Sequence, residues 1–268
     1  MKVLVTGATG SVGRLVVDRL LARGATDVRA LTNDPRRAQL PAGVEVVTGT
    51  VWQPETLRAA LSGVDRLYLP SAPATTRRVV AAARAAGVER IVDLSGEPTT
   101  WWGEVAAAVE DGGTGWTHLW PGDFMENTST WARQISDRGG VAEPWPHATS
   151  TPVAMADVAE VAAVALLEDG YLGRALPITG PEALRRTDLL AAIGAALGRE
   201  LVFERVGRDE AVAALAPVMG AGAAWYVDTI LAGSADADPV PTTVVADVTG
   251  RPATRFADWA RENAASFA

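Results

Sequence analysis

A glycine-rich stretch at the start of the chain, KVLVTGATGSVG over positions 2–13, most strongly limits what this chain can fold into. Residues 3–5 form a short apolar run that is typical of a buried parallel strand. Gly7, Gly10 and Gly13 follow with GxxGxxG spacing, and an amphipathic helix comes next. A tight turn between a strand and a helix N-terminus lets backbone amides approach the pyrophosphate of a dinucleotide. The stretch therefore predicts a dinucleotide-binding loop, with a purely structural turn as the alternative.

Short apolar runs alternate with helical stretches along the first half of the chain. Further strands are predicted at 28–32, 44–48, 65–69, 90–95 and 115–119, and helices at 54–61, 75–86 and 104–110. This alternation predicts an α/β fold with a doubly wound parallel (Rossmann) sheet.

The chain of 268 residues is long enough for one large domain and a smaller appendage. We assign 1–120 to the dinucleotide-binding core, with 151–180 returning to it. The segments 121–150 and 181–268 are predicted to form a smaller, mostly helical substrate-binding portion.

Composition excludes several classes of function. The chain has no cysteine, so disulfides, thiolate catalysis and cysteine-based metal sites are ruled out. The net charge of −8 argues against a sequence-independent nucleic-acid partner. No apolar stretch is long enough for a membrane span, and the first residues enter a strand without a signal-peptide cleavage site. We therefore expect a cytoplasmic protein of undetermined oligomeric state, with no nucleic-acid or membrane partner and no metal.

The segment TGATGSVG resembles the opening of the atypical short-chain dehydrogenase/reductases, and more narrowly that of the NmrA-like NAD(P)-binding proteins. These include quinone reductases, isoflavone-reductase relatives and redox-sensing regulators. A second stretch, WTHLWPGDFMEN, resembles the family pattern T-x-L-R-P-x-x-F-x-x-N, with Trp120 in place of the arginine. Its matching positions are Thr117, Leu119, Pro121, Phe124 and Asn127. The resemblance spans nearly the whole chain and implies NADP(H), or alternatively NAD(H), as the cofactor.

The carboxyl ends of the predicted strands are where such a fold binds its cofactor. Together with the resemblance, this predicts contacts from Gly7, Thr9, Gly10, Ser11, Val12, Gly13, Thr32, Asn33, Arg36, Arg37, Thr50, Val51, Ser71, Ala72 and Ser95. Thr50 replaces an aspartate of the family pattern, and Asn33 replaces a frequent arginine.

The choice between NADP and NAD depends on the residues after the second strand. Asp34 could hold the 2′-hydroxyl of NAD, or it could cap the turn that Pro35 begins. If it is a cap, Arg36 and Arg37 are free to pair with the 2′-phosphate of NADP. A solvated arginine pair is the alternative for those two residues.

The usual catalytic pair of short-chain dehydrogenases is missing. That pair is a tyrosine with a lysine four residues later, whose charge lowers the tyrosine pKa. The only lysine here is Lys2, and none of Tyr68, Tyr171 and Tyr226 lies in the helix after the fifth strand. The two histidines have no metal-ligand spacing and fit no serine-hydrolase pattern.

Aromatic and polar residues remain as candidates at the expected crevice. The predicted substrate contacts are Trp101, Trp102, His118, Trp120, Phe124, Asn127 and Trp145, since indole faces suit flat aromatic ligands. His147 and Ser95 are the predicted catalytic residues. The alternatives are tryptophans that seal the core, a satisfied buried His118, and a local turn hydrogen bond for Ser95.

These features favour an NADP(H)-dependent oxidoreductase that transfers hydride to a quinone-like or other flat conjugated molecule without a Tyr-Lys pair. Such acceptors need positioning more than a dedicated acid. One alternative is an NAD(P)-binding redox sensor or regulator without turnover. Another is a non-redox enzyme of secondary metabolism that reuses the fold.

Overall fold

The computed structural model describes all 268 residues, which form two compact units. The first unit comprises Met1–Pro121, Met155–Ile178 and Val244–Arg251. The second unit comprises Gly122–Ala154, Thr179–Thr243 and Pro252–Ala268.

The strands are numbered along the chain. They are β1 (Val3–Val5), β2 (Val28–Thr32), β3 (Glu45–Thr48), β4 (Arg66–Leu69), β5 (Arg90–Leu94), β6 (Gly115–Pro121), β7 (Gly140–Glu143), β8 (Thr149–Ser150), β9 (Arg174–Ile178), β10 (Leu184–Arg185) and β11 (Val202–Arg205). The α-helices are α1 (Ser11–Ala22), α2 (Thr76–Ala85), α3 (Gly103–Glu110), α4 (Ala132–Arg138), α5 (Met155–Leu167), α6 (Arg186–Leu197), α7 (Arg208–Met219), α8 (Gly222–Trp225), α9 (Val244–Thr249) and α10 (Phe256–Glu262). None of the helices has the length and apolar character that crossing a membrane requires.

The first unit is built on a seven-stranded sheet of order β3-β2-β1-β4-β5-β6-β9, in which every pair is parallel. The central strands are buried on both faces, as expected for a sheet covered by helices. The strand order reverses between β1 and β4, which creates a crevice outside their carboxyl ends. The predicted doubly wound α/β fold is confirmed.

Two sequence-based expectations differ from the structure. The predicted helix at 54–61 is only a 3₁₀ turn, Pro54–Leu57, although Pro54 stands in its first turn as expected. The segment Val244–Arg251 belongs to the first unit, whereas we assigned all of 181–268 to the smaller portion. Arg251 explains that placement in part, since its guanidinium lies 3.3 Å from Asp157 of α5.

The second unit has a buried ionic centre beside its apolar core. Glu143 of β7 is fully buried and accepts a hydrogen bond of 2.7 Å from Trp131 Nε1. The same carboxylate receives two hydrogen bonds from Arg186 at the start of α6, one of them 2.9 Å long. The Arg186 guanidinium also lies 4.7 Å from the Trp131 ring centroid. Removing one partner would therefore leave a buried charge unpaired.

Candidate functional site

The turn after β1 has the shape of a phosphate cradle. Gly7 adopts φ +64°, a left-handed conformation that favours glycine. A side chain at Gly13 would press against the Gly7 carbonyl, with its Cβ 2.8 Å from the carbonyl carbon. Helix α1 begins directly after Gly10, which supplies no side-chain cap. The first amides of this helix therefore have no capping side chain to compete with an anion.

A pocket of about 450 Å³ opens in front of this turn, at the carboxyl ends of β1 to β4. The residues of the predicted cofactor set that line this pocket are Gly7, Thr9, Gly10, Ser11, Val12, Gly13, Thr32, Asn33, Thr50, Val51 and Ser71. It is also lined by Leu31, Gly49, Trp52, Tyr68, Pro70 and Leu94, which we did not predict. The sequence signal that could have identified these residues is their position at the ends of the predicted strands.

Four residues of the predicted set do not line this pocket. Arg36 and Arg37 are exposed in the 3₁₀ turn after β2. Ala72 is fully buried, and its carbonyl accepts a hydrogen bond of 2.8 Å from Thr76. Ser95 is buried directly after β5, and its hydroxyl has no hydrogen-bond partner.

Asp34 is confirmed as the cap of the turn, because its carboxylate accepts a hydrogen bond of 3.1 Å from the Arg36 amide. None of the residues lining the pocket carries a negative charge. The pocket wall therefore lacks the carboxylate that commonly holds the 2′-hydroxyl of NAD.

The polar groups of the pocket fit a bound dinucleotide. The Tyr68 hydroxyl and the Ser71 hydroxyl are both buried without a hydrogen-bond partner, and both residues line the pocket. Burial raises the pKa of Tyr68, with a further contribution from the charge of Asp93. Tyr68 is therefore a neutral hydroxyl near neutral pH, suited to hydrogen bonding rather than to ionisation. Buried polar groups without partners are uncommon, and a ligand that reaches them supplies the missing bonds.

A second polar cluster lies where β5, β6 and α3 meet. His118 of β6 is fully buried, and its Nδ1 lies 2.6 Å from Asp93 Oδ2. Its Nε2 lies 3.1 Å from Glu110 Oε1. His118 is thus a buried histidine with satisfied ring nitrogens, which was the alternative interpretation of this residue. Its side chain has no exposed surface for a direct substrate contact.

The charges of this cluster are coupled. Burial raises the pKa of Asp93, although the hydrogen bond and charge of His118, and to a smaller extent the Ser95 hydroxyl, lower it in part. Burial disfavours the charged form of His118, but Asp93 and Glu110 favour it more strongly, so the pKa of His118 lies above its usual value. The Ser95 hydroxyl is near enough to act on Asp93, even though the two side chains do not align as a regular hydrogen bond.

The remaining predicted residues are divided between the two units. In the first unit, the rings of Trp101 and Trp102 lie 4.9 Å apart and are exposed before α3, and Trp120 is the penultimate residue of β6. The others, Phe124, Asn127, Trp145 and His147, belong to the second unit. There Asn127 donates a 2.7 Å hydrogen bond to Asp123, and Trp145 packs beside a small apolar cluster. Their substrate contacts remain predictions.

The parallel sheet, its glycine turn and the pocket at the switch point define a dinucleotide-binding protein of the Rossmann class. The chain belongs to the NAD(P)H-binding family, whose model matches residues 7–169. The predicted membership of the NmrA-like, atypical short-chain dehydrogenase/reductase class is confirmed, as is the expectation of an NAD(P)H-binding domain.

Several similar proteins are named as reductases. The chain is 41% identical to (4-alkanoyl-5-oxo-2,5-dihydrofuran-3-yl)methyl phosphate reductase of Streptomyces griseus, over 99% of both chains. It is 33% identical to the NAD(P)H azoreductase of Xenophilus azovorans, again over 99% of both. The NADPH-dependent quinone oxidoreductase of Escherichia coli, solved with NADPH, superposes with a TM-score of 0.87 at 25% identity, covering 97% of this chain and 99% of that one.

Proposed function

We propose that this protein is an NADP(H)-dependent reductase that transfers hydride to a quinone-like or other flat conjugated small molecule. The observation that carries the proposal is the pocket at the switch point of an NAD(P)H-binding domain, in a chain whose only lysine is Lys2. An azo compound, a quinone and an oxo-dihydrofuran are named among the substrates of the similar proteins. All three contain conjugated double bonds.

The lack of a Tyr-Lys pair fits an acceptor of this kind. A reduced nicotinamide supplies hydride when it is bound, and the protein supplies position and exclusion of water. A conjugated acceptor spreads the resulting negative charge over several atoms, so a strongly activated acid at one oxygen is less necessary. An isolated ketone gains no such help, and we expect little activity on it.

We propose that the residues lining the pocket bind the cofactor, with the pyrophosphate over Gly10 and the first turn of α1. NADP(H) is preferred, because the pocket wall carries no carboxylate and Arg36 and Arg37 lie just beyond it in sequence. The protein acts in the cytoplasm, where the reduced cofactor is maintained.

Trp101, Trp102 and Trp120 of the first unit are proposed substrate contacts. In the second unit, the predicted contacts are Phe124, Asn127 and Trp145. Ser95 and His147 are the two candidate proton donors. Ser95 is buried, whereas His147 is exposed.

Absorbance of NADPH, followed against a panel of quinones, azo dyes and unsaturated lactones, tests this function. We expect oxidation with members of the panel and little with an aliphatic ketone. Gly10→Val should weaken NADPH binding at least tenfold, because its side chain would occupy the path of the pyrophosphate. Gly170→Ala is the matched control, since a methyl group there meets no atom within 4 Å.

Two results would contradict the proposal. Unchanged NADPH binding by a folded Gly10→Val variant would show that the cofactor binds elsewhere. Tight NADPH binding without oxidation by any acceptor would favour the sensor or the non-redox enzyme. A changed product mass after incubation of NADP-loaded protein with conjugated metabolites would then identify the non-redox enzyme.

A further inference from the structure

We propose that Glu110, His118 and Asp93 form a relay that carries a proton from solvent to Ser95, which protonates the reduced substrate. The proposal rests on the proposed function, since it supplies the second reactant of that reduction. It assigns roles to Glu110, His118 and Asp93 that motif matching does not reveal.

Hydrogen-bond distances connect the protein surface to the buried Asp93. Glu110 ends helix α3 with its side chain 51% exposed, so its carboxylate exchanges protons with water. His118 Nε2 lies 3.1 Å from that carboxylate, and His118 Nδ1 lies 2.6 Å from Asp93. Both distances fall within the range of proton transfer through a hydrogen bond. Ser95 follows two residues after Asp93, just past the end of β5.

Two buried polar atoms distinguish the Asp93–His118 pair from an ion pair that only stabilises the fold. Asp93 Oδ1 and Ser95 Oγ are both buried without a hydrogen-bond partner. A carboxylate that served only stability would have both oxygens satisfied, because an unpaired buried acceptor is costly. Residues 93 and 95 share one face of the extended segment, so the unpaired Asp93 oxygen and the Ser95 hydroxyl lie at the end of the relay opposite Glu110.

Aromatic rings shield the middle of the relay. The Trp116 ring stacks on the His118 imidazole at 4.1 Å, and the Trp120 ring lies parallel to it at 6.3 Å. Ala175 of β9 is the strand neighbour opposite His118, so the β9 side chain at this position carries no charge. Water is thus kept from the imidazole, and Glu110 is the polar route by which a proton reaches it.

The surrounding charges favour a protonated imidazole. The titratable groups that act on His118 are Asp93 from β5 and Glu110 from α3. The charge of Asp93 also raises the pKa of Tyr68 from β4, which stays neutral. The nearby Arg77 of α2 and Asp111 pair with each other at 2.8 Å. The pKa of His118 is therefore raised, and a larger fraction of the imidazole holds the proton near neutral pH than for an ordinary histidine.

The proton inventory balances. Hydride from the reduced nicotinamide brings two electrons to the acceptor, which becomes an oxyanion. Protonated His118 first passes its Nδ1 proton to the Asp93 carboxylate, which becomes a carboxylic acid. Ser95 Oγ–H then donates its proton to the oxyanion as Ser95 takes the proton of the Asp93 carboxyl, and His118 is reprotonated from water through Glu110. One hydride and one solvent proton are consumed for each acceptor reduced.

Histidine NMR gives a readout that needs neither cofactor nor turnover. The chain contains only two histidines, so ¹⁵N-histidine labelling yields two imidazole spin systems, and His147→Ala assigns them. We expect the His118 midpoint above about 6.5, the unperturbed value. Glu110→Gln should lower that midpoint and slow the exchange of the imidazole N–H protons with water. Asp111→Asn, the neighbouring exposed acid, is the matched control and should change neither.

The pH dependence of turnover links this titration to the reaction. Because the relay requires protonated His118, kcat should fall as pH rises through the pKa of His118. Glu110→Gln should move this fall to lower pH, and Asp111→Asn should leave it in place. His118→Asn should remove the pH dependence and lower kcat by roughly 10²-fold, with NADPH affinity retained as evidence of an intact fold.

A pH profile that Glu110→Gln leaves unchanged would overturn the relay. The same holds if His147→Ala alone removes the alkaline fall in kcat, since His147 would then supply the proton. If His118→Asn does not fold, Glu110→Gln decides, because its side chain is half exposed. If NADPH is oxidised but Glu110→Gln leaves the pH profile of kcat unshifted, only the relay is contradicted. If the parent protein oxidises no NADPH, both the proposed function and the relay are contradicted.

Discussion

Arg36 and Arg37 are the residues on which cofactor preference is proposed to depend. Both are exposed after β2, and neither forms an ion pair. If either binds the 2′-phosphate, Arg37→Ala or the double variant should weaken NADPH binding by roughly 1.5–3 kcal/mol and spare NADH. Fluorescence titration with both cofactors measures this.

Arg58→Ala is the control, because Arg58 is an exposed arginine in the same unit. It should change neither affinity. Equal loss of NADPH and NADH in the Arg37 variant would show that the arginine acts on the fold and not on the phosphate.

Single residues were predictable where local geometry dictates them. Gly7 and Gly13 are required by a left-handed turn and by close backbone approach, and both requirements can be read from spacing. The contacts of His118 could not be predicted in this way. Its partners lie on a neighbouring strand and a preceding helix, so only the register of β5 and β6 brings them together.

At the scale of secondary structure, Glu143 links three segments of the second unit. Its carboxylate bonds Trp131 and Arg186, which precede α4 and begin α6. Glu143→Gln keeps the shape but removes the charge that neutralises buried Arg186. We expect a loss of about 3–5 kcal/mol in the free energy of unfolding, measured by urea denaturation.

Glu204→Gln serves as the comparison, because Glu204 is exposed on the adjacent strand β11. Its effect should stay within about 0.5 kcal/mol of the parent. A similar small effect of Glu143→Gln would mean that the ionic centre contributes little to stability.

Strand positions were predictable within a residue or two, because buried parallel strands are short apolar runs bounded by turns. The predicted helix at 54–61 was wrong beyond Leu57, since apolar spacing alone does not distinguish a helix from successive turns. The sequence alone also could not predict that Val244–Arg251 belongs to the first unit. That placement depends on Arg251 reaching Asp157, a contact between segments far apart in sequence.

At the scale of the whole molecule, similarity to two reductases extends over 99% of the chain. Both compact units therefore have counterparts in those proteins, and the proposed activity draws on the entire chain. The net charge of −8 and the absence of cysteine are compatible with a reductase that uses neither thiolate chemistry nor a polyanionic partner.

Transfer of deuterium from NADPH that carries deuterium at both C4 positions to a conjugated acceptor tests the central claim most directly. The acceptor should retain the hydride on carbon after reduction, as an unsaturated lactone or a cationic triarylmethane dye does. We predict a product that carries one deuterium for each NADPH oxidised, with its second hydrogen, where one is added, taken from solvent. Bound NADPH that passes no deuterium to any such acceptor would contradict the account.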